Sequence, residues 1–176
     1  MILFKKQREL IGNLLIRKSI KQQKRTVQLK KIKDWEKVGI FFDASSKHCR
    51  TSIKEFIKKL QSEGKEVQAL GYVETKKPEE NLISDKTVYY SSLQDFSWFF
   101  LPQNKEVVSF ISGKPDVLLV FTANNSFPTS AVVKLSDAAL KVGFNGIFDN
   151  DLDLTFEISD PTPEKLREQI ERYLGQ

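Results

Sequence analysis

The sequence predicts an α/β domain that follows a basic N-terminal arm. Short apolar runs alternate with stretches in which apolar residues recur every three or four positions, which is the order of strands and helices in a parallel sheet. Residues 1–37 contain 12 basic and 3 acidic side chains, a formal charge of +9, whereas residues 38–176 contain 16 basic and 20 acidic ones, a formal charge of −4. We therefore predict an arm over residues 1–36 and a single domain over residues 37–176.

The arm is predicted to form an amphipathic basic helix. A helix over residues 2–26 would be roughly 37 Å long at about 1.5 Å per residue, long enough to cross a nucleic-acid groove. Its apolar residues recur at spacings of three, four and seven, which places them on one side of the helix. These residues are Leu3, Phe4, Leu10, Ile11, Leu14 and Leu15.

The domain begins with an almost continuous apolar run, Lys37–Asp43, which is typical of a buried parallel strand. Ser45 or Ser46 then offers a side-chain cap for a helix. Apolar residues from Cys49 to Leu60 follow at helical spacing until Gly64 provides a stop. This succession of strand, cap, helix and glycine is that of a βα unit.

The remainder of the chain repeats the alternation. Further strands are predicted at residues 66–74, 87–91, 115–123, 140–144 and 152–158. Helices are predicted through Val107 and Ile111, over residues 130–139, and after Thr162, which caps a turn starting with Pro163. We therefore predict a three-layer Rossmann-like domain with a mostly parallel sheet.

Composition and motifs argue against several classes of site. His48 is the single histidine and Cys49 the single cysteine, so the chain lacks the usual sets of nitrogen and sulfur metal ligands, and we expect neither metal nor cofactor. The residues after the first strand contain no glycine of a dinucleotide fingerprint. Ser45 also stands where an Asp-x-Asp phosphotransfer enzyme carries its second carboxylate. Nothing in the sequence predicts a catalytic residue, which favours a protein that is not an enzyme.

A ligand pocket is the remaining prediction for the domain. In an open α/β sheet, ligands bind beyond the carboxyl ends of the strands, near the point where the strand order reverses. Small-molecule binding at that edge would use one carboxylate together with amides and hydroxyls. The predicted pocket residues are Asp43, Ser45, Thr122, Asn124, Asn125 and Asn145.

Five segments carry a resemblance to a known family. They are Lys37–Asp43, Asp95–Trp98, Lys114–Leu119, Leu140–Phe144 and Leu152–Leu154. In this order they resemble a family of Bacteroidota proteins known only as a domain of unknown function, and the resemblance covers nearly the whole chain. It implies a Rossmann-like domain with a basic N-terminal arm, and it brings no activity, cofactor or catalytic residue.

The charge of the arm favours RNA as its partner. Lys and Arg side chains neutralise phosphates and release counterions, and interspersed Gln and Asn can add contacts without reading sequence. We predict a non-enzymatic accessory protein that docks on RNA or a ribonucleoprotein, such as a ribosomal particle. The predicted nucleic-acid-binding residues are Lys5, Lys6, Arg8, Arg17, Lys18, Lys21, Lys24, Arg25, Lys30, Lys31 and Lys33.

Two alternatives stay open. The arm could lie on an anionic membrane surface, with its apolar residues in the interface and its lysines toward the headgroups. Alternatively, the domain could bind a small molecule in the strand-end pocket while the arm joins a partner chain.

The aromatic segment Phe96 to Leu101 is dense enough to form a core plug or a contact surface for a protein partner. Because no apolar run approaches the roughly 20 residues of a membrane span, we expect a cytoplasmic protein.

Overall fold

The computed structural model describes residues 2–148 and 150–175, with the backbone alone for residues 2 and 3. Met1, at the start of the predicted arm, and the side chain of Leu3, in its apolar row, therefore lie outside the description. Within these ranges no helix has both the length and the apolar character needed to cross a bilayer.

Six parallel strands form one sheet in the order β3-β2-β1-β4-β5-β6. The two most central strands, β1 and β4, are buried on both faces, as the continuous apolar runs predict. This arrangement confirms the predicted α/β class with a parallel sheet. The strands are β1 (Lys37–Asp43), β2 (Glu66–Tyr72), β3 (Val88–Ser91), β4 (Val117–Phe121), β5 (Leu140–Phe144) and β6 (Leu154–Phe156).

Helices cover both faces of the sheet. Those of the domain are α2 (Lys47–Ser62), α3 (Lys105–Ser112), α4 (Phe127–Leu135) and α5 (Pro163–Leu174), and the arm contributes α1 (Ile2–Gln22). Alternate residues of each strand point to opposite faces. On β4, Leu119 therefore packs into the cluster that contains α2 and α5, whereas Leu118 packs into the cluster that contains α3 and α4. The result is three layers, with α1 added outside α4.

Most helix ends follow the sequence signals. The hydroxyl of Ser46 accepts a hydrogen bond from the Cys49 N–H at the start of α2, and Thr162 caps α5 in the same way. The helix predicted at residues 130–139 begins earlier, at Phe127, and ends at Leu135. Pro128 explains the earlier start, because proline lacks the N–H that an interior helical position needs and favours the first turn.

The arm forms a helix as predicted, but α1 ends at Gln22 rather than reaching residue 26, and the chain continues without regular structure to Lys31. Thr26 and Val27 are β-branched and disfavour a further turn. The backbone N–H of Gln28 donates instead to the carbonyl oxygen of Ala139, just before β5, at 3.0 Å. The segment after α1 thus crosses the end of the sheet where β5 begins.

Candidate functional site

One face of α1 packs on the domain through small and buried residues. Gly12 and Ile16, which are one turn apart, are both buried. A Cβ atom on Gly12 would lie 2.5 Å from the carbonyl oxygen of Phe99 and 2.8 Å from Cζ of Phe127. Such distances leave no room for a side chain, so glycine is required for this close approach of α1 to α4.

Arg8 fixes the first half of α1. Its guanidinium lies 4.0 Å from the centroid of the Trp98 ring and 4.1 Å from that of Phe100, and its Nε donates to the carbonyl oxygen of Trp98 at 2.5 Å. Stacking of a guanidinium on aromatic faces contributes about 0.5–2 kcal/mol. Part of the aromatic segment that we predicted as a core plug or a contact surface therefore contacts the arm of the same chain.

Polar side chains hold the segment that follows α1. Gln23 and Arg25 donate to the carbonyl oxygens of Leu135 and Ala138, each at 2.5 Å. Arg25 also forms a two-bond ion pair with the carboxylate of Asp153. These contacts fix the position of the segment along the end of α4 and the start of β6.

Asp116 is the second anchor of this segment. Its carboxylate accepts hydrogen bonds from Nζ of Lys30 at 2.5 Å and from the backbone N–H groups of Glu36 and Lys37 at 2.8 and 3.0 Å. Burial would raise the pKa of Asp116, but these hydrogen bonds outweigh burial and hold the pKa below its usual value. Asp116 therefore joins the arm to the beginning of β1.

The predicted nucleic-acid-binding residues divide into two groups. Arg8, Arg25 and Lys30 contact the domain, and Nζ of Lys31 donates to the carbonyl oxygen of Tyr173 at 3.3 Å. The other side chains are exposed and lie on α1 or on the segments between α1 and β1. These exposed residues are Lys5, Lys6, Arg17, Lys18, Lys21, Lys24 and Lys33.

The apolar row of α1 is exposed, and two of its members face away from the domain. Phe4, Leu10 and Leu14 are 63%, 65% and 64% exposed, and Ile11 and Leu15 are also exposed. At about 100° per residue, Leu10 and Leu14 lie roughly 200° around the helix from the buried Gly12 and Ile16. Apart from Leu3, whose side chain lies outside the description, the apolar row predicted from the sequence is therefore exposed, and a different face of the helix binds the domain. The helix as a whole is not amphipathic, because Ile16 and Ile20 lie on other sides of it and Lys18 and Lys21 lie within the row.

Trp98 adds an exposed aromatic ring beside this row. It is 65% exposed, although one face of the ring stacks on Arg8. Arg8 lies one turn from both Phe4 and Ile11 on the helix surface. Trp98 belongs to the predicted aromatic segment, but no local pattern links it to the arm, because Trp98 and Arg8 are 90 positions apart along the chain.

The predicted ligand-pocket residues lie at one edge of the sheet, and the strand order reverses there between β1 and β4. Their polar groups form local hydrogen bonds. The Asp43 carboxylate accepts from the N–H and the hydroxyl of Ser45 at 2.8 and 2.6 Å. The Thr122 hydroxyl accepts from the N–H of Asn124, whose side-chain amide donates to Glu74 at 2.9 Å. Glu74, just beyond β2, is a residue of this edge that the sequence analysis missed.

The two other residues of the predicted pocket lie toward β6. The side-chain amide of Asn125 donates to the carbonyl oxygen of Ile147 at 2.5 Å, and the Asn145 side-chain oxygen accepts from the Thr155 hydroxyl at 3.3 Å. Cavities of about 460 and 580 Å³ open elsewhere, one beside the start of β3 and one beneath the segment that follows α1. Small-molecule binding at the strand ends stays a prediction.

Residues with nucleophilic or metal-binding chemistry are held in structural roles. Burial, with a contribution from the charge of Asp43, raises the pKa of the Cys49 thiol to about 12, so the reactive thiolate is disfavoured. Nε2 of His48 lies 3.1 Å from the carboxylate of Glu164 at the surface. Among the residues that the structure describes, no three histidine, cysteine or acidic side chains are grouped to hold a metal ion.

Comparison with known sequences gives one assignment. No curated protein matches this sequence. The model of a family of unknown function, DUF6913, matches residues 8–176, which include most of α1 and the whole α/β domain. The match therefore includes residues 8–36 of the arm as well as the sheet. The chain belongs to the family of unknown function DUF6913.

Proposed function

We propose that this protein binds anionic membrane surfaces through α1, which lies in the interface and holds the α/β domain against the membrane. One observation carries the proposal: α1 is fixed to the domain by Gly12 and Ile16, while Leu10 and Leu14 on its opposite side, and Phe4, Ile11 and Leu15 between the two sides, are exposed to solvent. A helix that needed its apolar row for folding would turn it toward the domain.

The energetics fit reversible surface binding. Complete burial of a large apolar side chain contributes roughly 1.5–3 kcal/mol, so partial insertion of Phe4, Leu10, Ile11, Leu14 and Leu15 contributes on the order of 5 kcal/mol. Basic side chains near an anionic surface add about 1 kcal/mol each. Together the two contributions support stable but reversible binding, and neither is sufficient alone.

The charges on α1 are placed for this role. Ile2–Gln22 contains six basic residues and one acidic residue, Glu9. Lys18 and Lys21 lie one and two turns beyond Leu14, in line with the row, so their long side chains extend along the helix to bring the ammonium groups to the headgroups. Such a helix repels a second copy of itself and attracts anionic headgroups. The cytoplasmic leaflet is anionic, in keeping with the expected cytoplasmic location.

Vesicle flotation tests the proposal. The full chain should float with vesicles of phosphatidylcholine and phosphatidylglycerol and stay behind with phosphatidylcholine alone. The double variant Leu10→Ser/Leu14→Ser should bind at least tenfold more weakly, because two inserted side chains are lost. Val27→Ser/Leu29→Ser is the matched control, since both side chains are exposed on the arm but lie outside α1. Equal binding by the Leu10/Leu14 variant, or no flotation of the wild type, contradicts the proposal.

RNA binding, including docking on a ribosomal particle, is the second candidate. The observation that favours it is the set of seven basic side chains that remain exposed after the arm has docked. RNA binding explains the basic side chains but not the exposed apolar row, because nucleic-acid bases stack on aromatic rings and guanidinium groups. Filter binding to single-stranded RNA separates the candidates. For RNA, Lys18→Gln/Lys21→Gln should weaken binding and reduce its salt dependence, while Leu10→Ser/Leu14→Ser should have no effect.

A further inference from the structure

We infer that Trp98 inserts into the membrane interface beside α1 and, as a second contact, gives the α/β domain one orientation on the membrane. This inference rests on the proposed function and names a residue outside the arm. A protein held by one interfacial helix can rotate about the axis of that helix. A second contact, from a neighbouring loop, prevents this rotation. The domain therefore has a fixed face toward the membrane.

The turn that carries Trp98 is rigid. Ser97 N–H donates to the carbonyl oxygen of Leu101 at 2.7 Å, and the Ser97 carbonyl oxygen accepts from the N–H of Phe100 at 2.9 Å. The Ser97 hydroxyl also accepts from the N–H of Leu101 at 3.2 Å. Phe100 has φ +59, which is uncommon for a residue other than glycine and is held here by the surrounding contacts. Trp98 thus sits at the tip of a closed turn.

Arg8 couples this turn to α1. Its side chain lies between the rings of Trp98 and Phe100 while its Nε bonds to the Trp98 backbone, so the position of Trp98 relative to α1 is fixed at two points. Phe4 and Ile11 flank Arg8 along the helix. Trp98 therefore contacts the one residue of α1 that lies a single turn from both Phe4 and Ile11.

The chemistry of tryptophan suits this position. Its ring is large and apolar, its indole N–H is a hydrogen-bond donor, and the residue is enriched at the level of lipid headgroups. The other tryptophan of the chain is 1% exposed, and its indole N–H donates to the carbonyl oxygen of Lys30 at 3.1 Å. Trp35 is therefore buried in the hydrophobic core, and its fluorescence provides an internal reference for that of Trp98.

Tryptophan fluorescence tests the inference on the full chain. With anionic vesicles the emission should shift to shorter wavelength, and phospholipids brominated near the upper part of the acyl chain should quench more than a third of it. In Trp98→Phe, only Trp35 emits, and brominated lipid should have almost no effect. Trp98→Ser should float three- to tenfold less well than the wild type. Ile83→Ser, which changes an exposed apolar residue of the β2–β3 connection, should float normally.

The outcomes separate the two proposals. If the wild type floats with anionic vesicles but brominated lipid does not quench Trp98, the inference is wrong and the proposed function stands. If the wild type does not float, the proposed function fails and the inference fails with it. Equal quenching of the wild type and Trp98→Phe would show that the signal comes from Trp35, and would also overturn the inference.

Discussion

Arg8 and Trp98 are joined twice, by a hydrogen bond from the Arg8 Nε to the Trp98 carbonyl oxygen and by stacking of the guanidinium at 4.0 Å from the ring centroid. The pair connects the first half of α1 to the turn before α3. Together with Gly12 and Ile16, it determines which side of α1 faces the domain and which side faces solvent. The orientation of the apolar row, on which the proposed function depends, follows from these few contacts.

Replacement of Arg8 should loosen the first half of α1. Loss of one cation–π contact corresponds to about 1 kcal/mol, which is about fivefold in an equilibrium constant. In Arg8→Ala we expect hydrogen exchange of the α1 amides to accelerate by at least this factor, while exchange in β1 and β4 is unchanged. Arg8→Lys should be intermediate, since it keeps the charge without the planar fork. Unaltered exchange in Arg8→Ala would show that Gly12 and Ile16 alone hold the helix.

Substitution of Gly12 by alanine should destabilise the docking of α1, although the same change usually stabilises a helix. At an exposed helical position this change stabilises by about 1 kcal/mol. Here the new methyl group would lie 2.5 Å from a backbone carbonyl oxygen, so we expect a loss of about 1–3 kcal/mol in docking of α1. Hydrogen exchange of the α1 amides and urea unfolding measure this loss. Gln7→Ala on the same helix is the control, and a Gly12→Ala protein with a better protected α1 would refute the packing argument.

Asp116 should stabilise the arm in a pH-dependent way. Its pKa is below the ordinary value of 3.8 in the folded chain, so the stabilisation is complete above that value and is lost as the pH falls through the lower folded-state pKa. We expect Asp116→Asn to lose about 2 kcal/mol of unfolding free energy at pH 7. As the pH falls from 4 through the folded-state pKa of Asp116, the unfolding free energy of the variant should also decrease less steeply than that of the wild type. Asp160→Asn, at an exposed pair with Lys165, should change neither quantity.

Lys141 should produce an effect at alkaline pH. Burial, together with the charge of Arg25, lowers its pKa from 10.5 to about 8, while its Nζ donates to the carbonyl oxygens of Val133 and Lys134 at the end of α4. Because the unfolded chain binds this proton more tightly, the wild type should gain stability relative to Lys141→Met as the pH rises from 8 to 10.5. The expected gain is about 3 kcal/mol, measured by urea unfolding across this range. A constant difference between the two proteins would contradict it.

The elements of the domain were predictable where local signals agree. Lys37–Asp43 and Leu140–Phe144 are strands with the predicted bounds, and the caps at Ser46 and Thr162 form as expected. The helix α4 was predicted with shifted bounds: the apolar pattern indicated residues 130–139, whereas the helix begins at Phe127, just before Pro128, and ends at Leu135. The strand-end residues do gather at one edge of the sheet, but their hydrogen bonds to Glu74, Ile147 and Thr155 depend on loops whose course no periodicity predicts.

The sequence by itself determined the order of strands and helices, the charge asymmetry and the apolar row of α1, because spacing, composition and capping are local properties of the chain. Only the tertiary structure decided that the apolar row is exposed and that Arg8, Arg25 and Lys30 bind to the domain of the same chain. Their partners Trp98, Asp153 and Asp116 lie 86 or more positions away along the chain. The physical reason is that a basic helix with apolar residues on more than one side can dock in several ways, and the close contact at Gly12 selects one of them.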